Sequence, residues 1–271
     1  MTGPIFDTHA HYSSRAFDAD RIALLDSLPD KGVVGVCEQA THSGDAPRVL
    51  ELAHRYPWVV AAIGIHPESL LPAADCGEEG PAPTVSVYGG DWAAEMQALM
   101  PYYDDPKVVA VGECGLDYHW PVPKDAQLAL FEAEIRLALE LDKPIIVHDR
   151  QAHADVYALL KKYRPKGIVH CYSGSAEDAV QLAAQGLYIG FGGACTFNGA
   201  KRAAKAIEAL PLDAIVLETD CPYMAPEPVR GTRCDSSLIR YVGTYIAQRK
   251  ALAPEEVFRT TAENARRVYG L

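Results

Sequence analysis

Short runs of β-branched and apolar residues alternate along the chain with longer stretches whose apolar positions return every three or four residues. The first pattern is that of strands, the second that of amphipathic helices packed on them. Strands are predicted to begin near Ile5, Val33, Val59, Val108, Ile145, Ile168, Tyr188 and Ile215. The clearest helix is predicted over Asp125–Asp142, with Leu128, Phe131, Ile135 and Ala138 on one face and Glu132, Glu134 and Arg136 elsewhere. Eight strands alternating with helices imply parallel pairing through crossovers, and eight such units close a (β/α)8 TIM barrel. A doubly wound open sheet competes, but no Gly-x-Gly-x-x-Gly turn follows the first strand. At 271 residues the chain suits a single barrel domain spanning 1–271.

Two stretches break the rhythm. Residues 72–91 hold four glycines, three prolines and the Glu78-Glu79 pair, with Val85–Tyr88 as a small strand among them. This reads as a loop insertion after strand three, of the length used for lids and interfaces. The second stretch, Cys221–Ser237, carries Pro222, Pro226, Pro228, Arg230 and Arg233 just after the last strand.

A net charge of −11 argues against bulk electrostatic binding to nucleic acid. It leaves room for an enzyme that engages one strand end, especially if bound cations bring positive charge. The seven cysteines form no Cys-x-x-Cys pair, and Cys37, Cys114, Cys171, Cys195 and Cys221 read as small buried hydrophobes in a reducing cytoplasm. No basic-then-apolar leader opens the sequence, and its longest apolar run, near Trp58–Ile65, is too short to span a bilayer. The expectation is a cytoplasmic enzyme with neither a membrane segment nor an obligate protein partner.

In such a barrel the active site lies at the C-terminal ends of the strands. Strand one runs into His9 and His11, and residues two apart on a strand share a face. Strand three ends at His66, strand four at Glu113, Cys114 and Asp117, and strand five at His148, Asp149 and Arg150. Strand six ends at His170, and strand eight at Glu218 and Asp220. Singly, each has an ordinary reading: His66 sets the turn before Pro67, and Asp117 or Asp149 caps the next helix. His42, His54 and His153 read as surface residues. Collected on one rim, however, these groups would be costly to bury without cations to satisfy them. The constellation therefore points to a metal centre.

Six ordered blocks give that centre a precedent. Phe6-Asp7-Thr8-His9-Ala10-His11, Gly64-Ile65-His66-Pro67, Val111–Tyr118, Lys143–Arg150, Val169–Gly174 and Leu217–Tyr223 together resemble the TatD family of metal-dependent deoxyribonucleases, a branch of the amidohydrolase-like barrels. The similarity extends to Glu263-Asn264-Ala265 in the terminal helix. It implies one cation on His9, His11, Glu113 and Asp220, and a second on Glu113, His148 and His170, with Glu113 shared. A third ion, as in some family members, would fall to His66 and Glu218, Glu218 alternatively orienting a histidine ligand. Carboxylate-rich ligation favours Mg2+ or Mn2+ alongside Zn2+.

The activity implied is metal-assisted phosphodiester hydrolysis, as a 3′-to-5′ exonuclease on single-stranded DNA, with Asp220 accepting the proton of the attacking water. Arg150, Arg230 and Arg233 would meet phosphates, and Tyr118, Tyr172 or Tyr223 would stack on a terminal base. One loop departs from the family: after Arg230 it commonly reads Gly-Lys-x-Asn-Glu-Pro, whereas this chain has Gly231-Thr232-Arg233-Cys234-Asp235-Ser236. That difference keeps an ester or amide hydrolase open as an alternative, of the lactonase, amidohydrolase or aminoacyl-tRNA deacylase kind. A non-catalytic metal-binding scaffold is a third reading.

Overall fold

The structure is a computed structural model that describes residues 3–71 and 88–271. The expected insertion at 72–91 and its small strand therefore lie outside the described residues, except for a turn at Tyr88–Gly90 and Asp91. Strands and helices alternate: β1 (Ile5–Ala10), α1 (Arg21–Ser27), β2 (Val33–Gln39), α2 (Ala46–Arg55), β3 (Val59–Ile63) and α3 (Trp92–Leu99). There follow β4 (Val108–Asp117), α4 (Lys124–Glu140), β5 (Ile145–Arg150), α5 (His153–Tyr163), β6 (Gly167–Val169) and α6 (Ala176–Ala184). The chain ends with β7 (Leu187–Phe191), α7 (Lys201–Ala209), β8 (Ile215–Leu217), α8 (Ile239–Lys250) and α9 (Pro254–Tyr269). The eight strands form one sheet in the order β1 to β8, the (β/α)8 TIM-barrel fold expected from the hydrophobic pattern. Each strand starts within a residue of its predicted position.

Contacts within the chain group it into two compact units, Met1–Cys37 with Ile168–Leu271, and Glu38–Gly167. In the first, α9 opens with Pro254, whose missing N–H costs nothing there, and stops at Gly270 in the left-handed region at φ 71°. Its Tyr269 hydroxyl donates to the Thr8 carbonyl of β1 at 2.8 Å, and Asn264 Nδ2 donates to the Ile215 carbonyl of β8 at 2.8 Å. The terminal helix thus fixes the two strands that carry His9 and lead to Asp220.

The second unit is held by the underside of α4. The amphipathic reading placed Glu134 away from the core, but the helix is rotated from that expectation. Gln127 and Glu134 are buried with Leu130, Phe131 and Ile135, while Leu128 is only half-buried. Both polar side chains are there to satisfy backbone: Glu134 Oε1 accepts the Ile65 N–H at 2.8 Å, and Gln127 clasps Asp117. Burial pushes the Glu134 carboxyl well above the usual carboxylate range.

Between Val111 and Cys114 the register of β4 on β5 slips by one residue, a bulge that contains Gly112 and Glu113. Bulges bend a strand and re-aim side chains, and this one sits at a candidate ligand. Downstream, Gly115 pairs with His148 at φ 143°, and a Cβ there would lie 2.1 Å from the His148 carbonyl oxygen. Only glycine lets β5 approach closely at that level.

Candidate metal centre

In the first unit His9 lies in β1 and His11 one residue past its end, while Asp220 lies three residues past β8. Backbone bonds hold these segments side by side. The Asp220 N–H donates to the His9 carbonyl at 2.9 Å, and the His11 N–H to the Cys221 carbonyl at 3.0 Å. Asp7 secures the arrangement from beneath, accepting from the His9 and Thr219 N–H groups and from the Thr219 and Ser236 hydroxyls. Burial raises the Asp7 pKa to about 6 despite those donors.

The result is a tight donor group. The Nε2 atoms of His9 and His11 are 3.2 Å apart, and Asp220 Oδ1 lies 3.2 Å from His11 Nε2 and 3.7 Å from His9 Nε2. His9, His11 and Asp220 each present a ligand atom within 4.8 Å of the others. Two imidazoles and a carboxylate aimed at one point are a fitting donor set for a divalent cation. Burial would raise the Asp220 carboxyl, but the hydrogen bond to His11 and the charges of His9, His11 and His170 outweigh it and hold Asp220 below its ordinary value. Its φ of 58° is left-handed, a conformation that non-glycine residues keep where their surroundings over-determine it.

His170 follows β6 directly and stacks flat on His9, with ring centroids 3.9 Å apart and planes at 9°. Glu218 and Asp220 come from the end of strand eight. β8 itself stops at Leu217, so both residues follow the strand. Glu218 turns inward, accepts the Cys171 N–H and lies 3.9 Å from His170 Nδ1. Burial pushes its pKa up to about 8.

In the second unit His66, Glu113 and His148 form a comparable group, their ligand atoms also within 4.8 Å of one another. His148 Nδ1 is 3.0 Å and His66 Nε2 3.7 Å from Glu113 Oε1. The other ring nitrogen of His148, Nε2, lies 3.0 Å from Oδ2 of the buried Asp117. Burial would lower the His148 pKa, but Asp117 and then Glu113 raise it to about 10. The fit is again to a cation. Imidazole and carboxylate ligands converge, and carboxylate neighbours compensate positive charge.

Asp117, whose ordinary reading on its own is a helix cap, is instead the partner of His148 Nε2. The available signal was parity, since Asp117 lies four residues after Glu113 on one strand. Glu68 is a further carboxylate of this unit; burial first, then Asp117, raises its pKa.

The expected substrate-binding residues are less uniform. Arg150 is exposed at the end of β5, 4.0 Å from Asp117 Oδ2, and Tyr223 is exposed after β8. Arg230 lies over the Phe197 ring at 4.1 Å, and Tyr118 donates to Asp155 while Lys124 sits 4.0 Å above its ring. Arg233 is committed to an ion pair with Asp20 and to the Ala16 carbonyl. Tyr172 is buried against Phe191, its hydroxyl donating to the Ser175 carbonyl. Cys171, expected to be buried, is half-buried beside Met224. Among the described residues no helix is long and apolar enough to cross a membrane.

Comparison with known proteins identifies the family. The model of TatD related DNases matches residues 6–270. An uncharacterized metal-dependent hydrolase of Bacillus subtilis, YabD, is 37% identical over 269 residues, covering 98% of each chain. A protein of Erwinia tasmaniensis named 3′-5′ ssDNA/RNA exonuclease TatD is 28% identical over 279 residues, covering 98% of this chain and 100% of its own. The crystal structure of YjjV, a TatD homologue from Escherichia coli, superposes with a TM-score of 0.85 at 27% identity over the full length of both chains.

Proposed function

Because the chain belongs to the family of TatD related DNases and is a metal-dependent hydrolase, we propose that it is a phosphodiesterase acting as a 3′-to-5′ exonuclease on single-stranded DNA. The observation that carries the reading is the convergence of His9, His11 and Asp220 after two neighbouring strands. His9, His11, His170 and Asp220 on the first unit, and Glu113 and His148 on the second, would supply the ligands of two divalent ions. His66 and Glu218 are the candidates for a third ion or for support of these ligands. Mg2+, Mn2+ and Zn2+ all suit this donor chemistry.

Bound ions of this kind polarise a phosphoryl oxygen and acidify water. The protein's own share is positional. Asp220, within hydrogen-bond distance of His11 and just past the end of β8, is placed to accept a proton from the attacking water. Asp7 and Thr219 fix the backbone that presents it. Arg150 and Arg230 stand exposed to pair with phosphates, and Tyr223 to stack on a terminal base, a sequence-tolerant contact. Tyr118 offers a weaker platform, and the contacts of Arg233 and Tyr172 favour support of the loops over direct binding. The Erwinia relative's name supports a nucleic-acid substrate. We place the enzyme in the cytoplasm, working as one domain without an obligate partner protein.

Ester or amide hydrolysis is the second reading. It draws on the Gly231–Ser236 loop, which lacks the lysine and asparagine common in the family. The test is a 5′-labelled single-stranded oligonucleotide incubated with Mg2+ or Mn2+. A ladder shortening from the 3′ end and abolished by chelator is expected. An intact oligonucleotide alongside turnover of a simple ester or amide would move the assignment to the second reading.

A further inference from the structure

Asp117 is a buried carboxylate of the second unit that belongs to neither donor group but touches a member of one. It is fully buried at the end of β4, and its two oxygens face different partners. Oδ1 accepts the His119 N–H at 2.9 Å, and Oδ2 lies 3.0 Å from His148 Nε2, with Arg150 4.0 Å from the same oxygen. Its backbone is clamped by Gln127 of α4. The Asp117 N–H donates to Gln127 Oε1 at 2.8 Å, and Gln127 Nε2 donates to the Asp117 carbonyl at 2.9 Å and to the Val122 carbonyl at 3.2 Å. So α4 holds Asp117, and Asp117 meets the ring of His148 on the edge opposite Glu113.

We propose that Asp117 is a positioning residue that selects the nitrogen His148 offers to a metal, by holding the proton on Nε2 and leaving Nδ1 as the ligand. An ionised carboxylate only accepts hydrogen bonds, so its partner nitrogen must carry a hydrogen. Both His148 nitrogens lie 3.0 Å from a carboxylate, but only Nδ1 is on the side of the His66–Glu113–His148 donor group. With a cation held there, Nδ1 offers the lone pair and the hydrogen stays on Nε2 toward Asp117. The inference rests on the reading of His148 as a metal ligand.

The geometry also sets an unusual order for two substitutions. Asp117→Ala removes the acceptor and leaves the ring free to turn. Asp117→Asn keeps the shape, but its one oxygen is claimed by the His119 N–H, which turns the NH2 group toward His148 Nε2. That NH2 donates and drives the imidazole hydrogen onto Nδ1, the nitrogen the metal needs. The near-isosteric variant should therefore be the worse one.

The experiment titrates Zn2+ into metal-stripped full-length protein against a chromophoric chelator, for wild type, Asp117→Ala and Asp117→Asn. Asp117→Ala should weaken one zinc equivalent about 10- to 100-fold, the range for lost support of a ligand, and Asp117→Asn at least as much. Wild-type binding in both variants, or a milder loss in Asp117→Asn, would overturn the proposal while leaving the metal reading intact. Wild type that binds no zinc would overturn that reading and this proposal with it. A measurement free of variant folding is 15N-histidine NMR of the zinc-loaded wild type, with His148 assigned by its absence from His148→Gln. The His148 resonance should show hydrogen on Nε2 and none on Nδ1, and the reverse pattern would refute the assignment.

Discussion

In the first unit the candidate ligands are three histidines around one carboxylate, Asp220, with Glu218, its pKa raised by burial, behind them. In the second, two histidines, His66 and His148, lie among Glu113, Asp117 and Glu68. The groups are also built differently. His9 and His170 stack face to face beside a backbone ladder between β1 and the residues after β8. His148 is gripped at both nitrogens by carboxylates, one of them clamped by a buried glutamine. The lesson is that a nitrogen-rich group can be shaped by ring packing, whereas a carboxylate-rich group needs each charge assigned a partner.

The largest effect should come from the carboxylate among the first unit's candidate ligands. Asp220→Asn is expected to lower the hydrolysis rate by about 10²- to 10⁴-fold, the range for a lost proton acceptor, read on a labelled oligonucleotide with Mn2+. Retention of the wild-type rate would show that the second unit's carboxylates suffice. Next should come the backbone of the second unit. Gly115→Ala forces a Cβ onto the His148 carbonyl at positive φ, with an expected cost of about 1–3 kcal/mol or more in urea unfolding. A neutral result would mean β4 and β5 have room to separate, removing the close approach from the comparison.

A subtler effect concerns Glu218. Its folded pKa is raised from 4.5 to about 8, so its contribution to stability is fully present below pH 4.5 and lost as pH rises through 8. Relative to Glu218→Gln, metal-free wild type should lose stability between those limits by at most about 1.4 kcal/mol per pH unit, measured by urea midpoints in chelator. Parallel curves would show that Glu218 is ionised when folded, making the first unit as carboxylate-rich as the second. The smallest effect should be Arg233→Ala. It breaks an exposed ion pair with Asp20, and the change in melting temperature should be slight and fade in high salt.

The strands and the histidines were legible because both follow simple periods. Apolar runs mark buried strands, and His9 and His11 are adjacent in both sequence and space. What stayed hidden were polar residues whose partners are distant backbone groups. Gln127 and Glu134 look like the solvent face of an amphipathic helix, yet they are buried to satisfy Asp117 and Ile65. Asp117 resembles a cap because a strand-end aspartate usually is one. Glu218 and Asp220 lie just past β8, which ends at Leu217, so simple strand alternation does not describe their placement. Arg233 and Tyr172 carry suitable chemistry for a substrate, but an ion pair and a buried ring contact engage them first.

The central claim is that both donor groups hold metal. Its most direct test is anomalous diffraction at the metal edge from crystals soaked in Mn2+ or Zn2+. The account predicts one peak against His9, His11 and Asp220 and another against Glu113 and His148. Well-diffracting soaked crystals with no peak at either group would contradict it.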